Sequence, residues 1–368
     1  MTNREREILS WLRRDPLIPQ QALADRLGIT RSSVGVHISN LMQKGYILGK
    51  GYILANEGRV AVVGGANLDI YGFPGHALLP GVSNPGRVET ACGGVGRNIA
   101  ENLARLGSPV SLVTAVGRDA HGERICREAQ AAGIDLDHCI HSDRYPTSTY
   151  LALQDGEGEM AWAVSQMDIM AELSVENLRR EELWLDNAAA LVLDANLPEP
   201  ALRWLGGRYR HLPLWMDPVS IEKAKKLEGL LDCFFAVKPN RHEAALLSGI
   251  PADDREGVLA NWRWFLEAGV EELWLSLGAE GLFFGRRGLG IFARPPAVGL
   301  ANANGAGDAL MAAAVFGTLN GDTHEDRVRM ALAAAALTCT STETIHPDLS
   351  ENHIRTLMRE VTIDETVS

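Results

Sequence analysis

Asn302-Ala303-Asn304-Gly305-Ala306-Gly307-Asp308-Ala309 runs straight into an apolar stretch that reads as a helix. Three small residues, Gly305, Ala306 and Gly307, let the backbone come close to a ligand. The helix start behind them aims free N–H groups and a positive dipole end at the same point. That combination is an anion hole. Asp308 stands at its edge, within reach of a hydroxyl that attacks a phosphate. Far upstream, a second glycine-rich turn, Gly93-Gly94-Val95-Gly96-Arg97-Asn98, opens another helix, Ile99 to Leu106.

The chain between and around these turns alternates strand and helix. Val60–Gly64, Val110–Gly117, Ala190–Asp194, Leu214–Asp217, Phe234–Val237 and Glu272–Leu277 are short apolar runs separated by helical segments. This pattern predicts an α/β domain over 59–368, with a mostly parallel sheet covered by helices on both faces. Residues 68–92 and 144–165 alternate more loosely and read as antiparallel strands outside the main sheet, a small β-lid.

Charge divides the chain of 368 residues in two. Residues 1–56 carry a net charge of +4, and the remainder carries −16, within a total of −12. The whole is therefore no general nucleic-acid binder, and a small basic module joined to a large acidic one implies two tasks. The five cysteines are scattered, form no C-x-x-C pair and read as reduced thiols of a cytoplasmic protein. The charged start, Met1 to Glu7, has no apolar segment of signal-peptide type, and no apolar run is long enough for a membrane span.

Within residues 1–56, Ile8, Leu9, Trp11 and Leu12 have helical spacing, and Asp15-Pro16 ends it. Gln20 to Leu27 is a second helix, stopped by Gly28. Thr30 caps a third, Arg31 to Gln43. Gly45 to Leu54 reads as two strands around Gly49-Lys50-Gly51. Three helices and a hairpin make a winged helix-turn-helix. Such a module serves DNA binding or protein contact and dimerisation. For DNA, Arg31, Ser32, Ser33 and His37 on the third helix would face the major groove, and Lys50 would touch phosphate. Residues 55–58 leave only a short connector.

The large domain resembles the ribokinase/PfkB family of carbohydrate and nucleoside kinases from about Arg59 to Met358. The resemblance rests on ordered anchors: Gly65-Ala66-Asn67-Leu68-Asp69, the 93–98 turn, Lys238-Pro239-Asn240-Arg241-His242-Glu243, Ser276-Leu277-Gly278-Ala279-Glu280-Gly281, and Asn304 to Asp308. The 21–34 segment resembles the helix-turn-helix of bacterial winged-helix regulators. The family resemblance implies an ATP-dependent phosphotransferase. Asn67 and Asp69 would hold sugar hydroxyls, with Gly93, Gly94 and Asn98 beside them. Asn240, Ser276, Gly278, Gly281 and Gly307 would line the ATP site. Glu243, with Asn240, would order the water shell of Mg²⁺, which suits an indirect carboxylate. Asp308 would be the base, with the 305–307 amides around the transferred phosphoryl group. Where the family has Asp in a loop associated with monovalent cations, this chain has Asn302, so a K⁺ site is left open. Val95 and Arg97 also depart from the ribokinase pattern.

Finer similarity points toward bacterial pseudouridine kinases, through Ser83-Asn84-Pro85-Gly86, Gly93 to Ala104, Thr147 to Leu151 and Met216 to Ser220. That resemblance implies phosphorylation of the 5′-hydroxyl of a C-nucleoside, with Ser148, Thr149 and Asp168 as candidate partners of the uracil. Another nucleoside, a free sugar, or a regulator that uses the kinase fold as a ligand sensor are the alternatives. Pairing of lid strands would give a homodimer, and two winged helices on it would suit a palindromic site.

Overall fold

The computed structural model describes residues 1–47, 58–79, 81–155 and 160–367. The chain divides into two compact units, Met1–Glu57 and Gly58–Ser368.

The first unit contains α1 (Asn3–Arg14), α2 (Gln20–Leu27) and α3 (Arg31–Gln43), the three helices that the spacing predicts. Each boundary has a local cause. Thr2 and Glu5 form a capping box on α1, Gly28 ends α2 in a left-handed conformation, and the Thr30 hydroxyl accepts the Ser33 N–H at the start of α3. Ile8, Leu9, Leu12, Leu23, Val34, Ile38 and Leu41 form the core. Glu5 is buried, and its carboxylate takes the Lys44 ammonium at 2.8 Å. Of the predicted wing hairpin only residues 45–47 are described, with Ile47 buried in this core; the rest of the hairpin, Lys50 and most of the 55–58 connector lie outside the described residues.

The second unit begins with β1 (Val60–Val63), β2 (Asn67–Pro74), β3 (Gly86–Gly93), α4 (Val95–Arg105), β4 (Val110–Val113), β5 (Ala115–Gly117), α5 (Ala120–Ala131) and β6 (Ile140–Ser142). It continues through β7 (Thr149–Gln154), β8 (Met160–Gln166), α6 (Val175–Arg180), α7 (Glu182–Leu185), β9 (Ala190–Asp194), α8 (Glu199–Arg208), β10 (Leu214–Asp217), α9 (Ile221–Ala224), β11 (Ala236–Val237) and α10 (Arg241–Ser248). It closes with α11 (Arg255–Glu267), β12 (Glu272–Ser276), β13 (Leu282–Arg286), β14 (Leu289–Arg294), α12 (Ala306–Leu319), α13 (His324–Cys339), α14 (Glu351–Leu357) and β15 (Thr362–Val367).

Among the described residues, nine strands make one sheet in the order β15-β14-β13-β12-β11-β10-β9-β1-β4. It is parallel from β4 to β12 and antiparallel from β12 to β15. The antiparallel edge was not predicted, because β13 and β14 are joined by a short turn that the strand–helix rhythm hides. Each sheet face buries a core. Val60, Val62, Trp215 and Trp274 point to α4, α12 and α13, whereas Ala61, Val63, Leu191 and Leu193 point to the opposite layer. Alanines at 312–314 and 333–334 are fully buried, so α12 and α13 approach closely.

The 110–117 run is two strands rather than one. After Val113 the chain leaves the main sheet, and β5 pairs with β6 instead. The lid is a four-stranded sheet, β3-β2-β7-β8. Its β2/β3 and β7/β8 pairs are antiparallel as expected, but β2 and β7 run parallel, a correction to the wholly antiparallel reading. The cause is the long excursion through α4 and α5, which lets the chain re-enter the lid in the same direction as β2.

Candidate active site

Gly305 is the N-cap of α12, with φ 81°, and Asp308 lies in the first turn. A Cβ on Gly305 would stand 1.9 Å from the Thr344 carbonyl oxygen, so both the backbone angle and the space require glycine. Asn302 braces the loop: its side-chain oxygen accepts the Asn304 N–H at 3.0 Å, and its amide donates to the Thr342 carbonyl at 3.2 Å. This bracing holds the start of α12, whose free amides are of the kind that suits an anion.

Asp308 is 9% exposed. Burial drives its carboxyl up to about 7, and the nearby charges of Asp217 and Asp194 push the same way. The Asn98 amide, which donates to Asp308 at 2.8 Å, and the Lys238 ammonium oppose that rise. The Asn98 side-chain oxygen is buried and has no partner. A buried acceptor left open beside a carboxylate is an arrangement ready for a hydroxyl that donates to it.

Asn98 comes from α4, whose start is built on close backbone approach. Gly94 has φ 100°, and a Cβ there would lie 2.5 Å from the Gly65 carbonyl oxygen. Asp194, at the end of β9, accepts the N–H groups of Gly65 and Gly96, each at 2.8 Å, and fixes both glycine turns at the strand ends. Asn67 and Asp69 lie at the start of β2, and the Asn67 amide donates to Asp69. Burial raises the Asp69 carboxyl to about 6 against the pull of Asn67, Tyr71 and Arg97. Gly93 sits across from them, where a Cβ would collide with the Asp69 carboxylate at 2.2 Å. Arg97 is turned into a buried ion pair with Glu101 at 2.8 Å and donates to the Cys92 carbonyl.

On the other side of Asp308, Asn240 and Glu243 form a reciprocal capping box on α10, both bonds at 2.9 Å. Glu243 is buried, which raises its carboxyl, and the Asp217 charge adds to the rise. Lys238 pairs with Asp217 at 3.1 Å. Burial alone would lower the Lys238 ammonium, but Asp217, Glu243 and Asp308 more than compensate and hold it above its ordinary value. Its Nζ lies 3.1 Å from where a Gly307 Cβ would be. Three carboxylates thus share one lysine, a donor set that fits a hydrated divalent cation. Ser276 joins this region through its N–H bond to the Pro239 carbonyl at 3.0 Å. Gly278 and Gly281 have φ 64° and 111°, and a Cβ on Gly281 would strike the Ala293 carbonyl oxygen at 2.0 Å.

A model of the pfkB family of carbohydrate kinases matches residues 57–352. The chain belongs to the pfkB carbohydrate kinase family. A winged helix-turn-helix DNA-binding model matches residues 1–47. The chain is 35% identical to YeiI, an uncharacterised sugar kinase of Escherichia coli, over 97% of its own length and 99% of that protein. It is also 35% identical to a pseudouridine kinase of E. coli, over 81% of its length and 96% of the relative. A putative sugar kinase from Clostridium perfringens superposes with a TM-score of 0.76 at 32% identity, covering 84% of this chain and 98% of that one.

The fold thus brings Asn98 onto Asp308, gathers Asn67, Asp69 and Gly93 at the start of β2, and sets Lys238 beside Gly307 and among Asp217, Glu243 and Asp308. Of the uracil candidates, Ser148 is buried with an unpartnered hydroxyl, the Thr149 hydroxyl donates to the Thr147 carbonyl at 3.3 Å, and Asp168 opens a single helical turn after β8. The sequence reading did not single out Asp194, Asp217, Lys238 or Lys223. The first two end β9 and β10 and Lys238 follows β11, all on the ligand-binding edge of an α/β sheet, which was the signal available. Lys223 left none. Its ammonium reaches the Asn196 side-chain oxygen and lies 3.7 Å from the Met167 sulfur, and burial lowers its pKa.

In the first unit, Arg31 and Ser32 are exposed at the start of α3, and His37 is half-buried with one ring nitrogen unpartnered. The Ser32 and Ser33 hydroxyls lie within hydrogen-bond distance of Thr30 Oγ1, at 2.9 and 3.0 Å, and so also serve the helix cap. No helix among the described residues is long and apolar enough to cross a membrane.

Proposed function

We propose that this pfkB kinase transfers the γ-phosphoryl group of ATP to the 5′-hydroxyl of pseudouridine. The observation that carries the reading is the Asn98–Asp308 pair, in which a carboxyl near neutrality sits beside an open buried acceptor. The substrate hydroxyl donates its proton to Asp308 as its oxygen attacks phosphorus, and Asn98 keeps the carboxylate turned toward it. The N–H groups at 305–307 hold the phosphoryl oxygens, with Lys238 beside Gly307 as a fixed positive charge. Asn67 and Asp69 take the ribose hydroxyls. Asn240, Ser276, Gly278 and Gly281 line the nucleotide side. Asn240 and Glu243, with Asp217, would hold Mg²⁺ through water, and the cation supplies charge neutralisation of the phosphates.

The base would contact Ser148, Thr149, Asp168 and Lys223, of which Lys223 and Ser148 offer donors suited to a carbonyl-rich uracil. A free sugar is the competing substrate, favoured by the 35% identity to a protein named as a sugar kinase along nearly the whole chain. A screen of nucleosides and pentoses with ATP and Mg²⁺ decides between them. Turnover of pseudouridine with kcat/KM at least about tenfold above uridine and ribose is the expected result. Turnover of a sugar with none of pseudouridine refutes it.

The N-terminal unit binds duplex DNA in this reading, through Arg31, Ser32, Ser33, His37 and Lys50. A second copy covers the outer lid face, where Val88, Gly72, Leu153 and Trp162 line up across the four strands and Trp162 is 72% exposed. The protein then works as a cytoplasmic homodimer.

A further inference from the structure

Cys126, Cys139 and His141 are unrelated in any familiar metal-binding spacing, yet the fold gathers them. Their donor atoms lie within 4.8 Å of one another. Cys126 is in the middle of α5, and Cys139 and His141 flank the start of β6, which pairs with β5. The Cys139 thiol also lies 4.0 Å from the Ile140 carbonyl oxygen. His141 is exposed and free to rotate toward them, whereas both cysteines are half-buried against Ile125, Leu68 and Cys92. The cluster lies outside the set of residues assigned to phosphoryl transfer.

We propose that Cys126, Cys139 and His141 form a binding site for a thiophilic divalent cation of the zinc class, with water as the fourth ligand. Two thiolates and one neutral imidazole match the donors zinc prefers, and they balance its charge. Zn–S and Zn–N bonds of about 2.3 and 2.0 Å in a tetrahedron need donors about 3.5–3.8 Å apart. Rotation of the exposed His141 and small χ changes at the two cysteines close the remaining gap. Binding releases the thiol protons to solvent and involves no oxidation. The cation would tie α5 to β6. Ile125, the neighbour of Cys126, packs on Leu68 of β2 beside Cys92 of β3, so the tie lies at the base of the lid.

Co²⁺ is the spectroscopic probe, added to the full-length reduced protein and then displaced by Zn²⁺. The expected result is one equivalent bound, with a thiolate-to-cobalt charge-transfer band and intense tetrahedral ligand-field bands. Cys126→Ser and Cys139→Ser should each abolish the charge-transfer band, while Cys339→Ser leaves it intact. His141→Ala, an exposed change that leaves the fold alone, should weaken binding at least about tenfold. Zinc at 100-fold excess over its Kd should raise the melting temperature by about 4 °C. Absence of a charge-transfer band in the wild-type chain overturns the proposal. So does a band that survives both cysteine substitutions, or formation of a Cys126–Cys139 disulfide with glutathione disulfide in a protein that takes up no metal. None of these readouts depends on which substrate the kinase phosphorylates.

Discussion

Replacing Asp308 by Asn should make the kinase unit more stable and nearly inactive at once. The carboxyl rises from 3.8 to about 7 in the folded chain, so its folded form prefers the proton. For a carboxyl raised in this way, the contribution to stability is unfavourable. It is absent below the unfolded value of 3.8, grows as pH rises, and is complete above about 7. A shift of about three units at 1.36 kcal/mol each gives a cost of about 4 kcal/mol at pH 8. At pH 5 roughly a third of that remains, because the folded carboxyl is already protonated. Asn has nearly the same shape and stays neutral at both values. It also keeps an oxygen to accept the Asn98 amide, and Lys238 retains Asp217 at 3.1 Å. For a unit spanning Gly58–Ser368, 4 kcal/mol corresponds to about 6 °C in melting temperature. Calorimetry of both proteins at pH 8 and pH 5 should show a gain of about 6 °C at the first and about 2 °C at the second. Phosphoryl transfer in a coupled ADP-release assay should fall by about 10²–10⁴ in kcat. An equal gain at both pH values, or none, refutes the account of Asp308 as a buried, reluctantly ionised carboxylate. Activity within a few-fold of wild type refutes its role as base.

The pH profile of kcat/KM should have an acid limb near 7, where Asp308 loses its proton, and Asn98→Ala should move that limb to higher pH by removing the donor that favours the carboxylate. A limb that stays in place or moves down counts against the pairing. Glu243→Gln can still accept the Asn240 N–H and so keep the cap. It should raise the Mg²⁺ concentration needed for half-maximal rate by about tenfold while changing the KM for the nucleoside little; an unchanged Mg²⁺ requirement removes Glu243 from the cation site. Full-length protein should bind duplex DNA with an affinity that falls as salt rises, and Arg31→Ala should lower the log–log salt slope by about one. Undiminished binding by residues 59–368 alone would exclude the N-terminal unit as the DNA reader.

Much of this architecture is written in local sequence. The apolar runs at 60–63, 190–194 and 214–217 are strands because short β-rich runs between helices have no other stable use. Thr2, Thr30, Asn240 and Gly305 set helix starts through backbone groups only a few residues away. The glycine turns at 93–94 and 305–307 can be read for the same reason, since φ near +80° or +100° is a property of one residue and its neighbours. What the sequence could not supply is every relation between residues distant in the chain. The parallel pairing of β2 with β7, the antiparallel β13–β15 edge and the exit of the chain at Thr114 depend on which strand lies alongside which. Asp308 becomes a carboxyl near neutrality only because tertiary packing buries it beside Asp217 and Asp194. Asn98 meets it across 210 positions of chain. Lys238, Asp217 and Glu243 come together as one charged group for the same reason. So do Cys126, Cys139 and His141, whose donor atoms are neighbours in space though the residues have no familiar spacing in sequence. Local sterics and capping are short-range and legible in order. Electrostatics and ligand sets are fixed by three-dimensional distance, which only the folded chain determines.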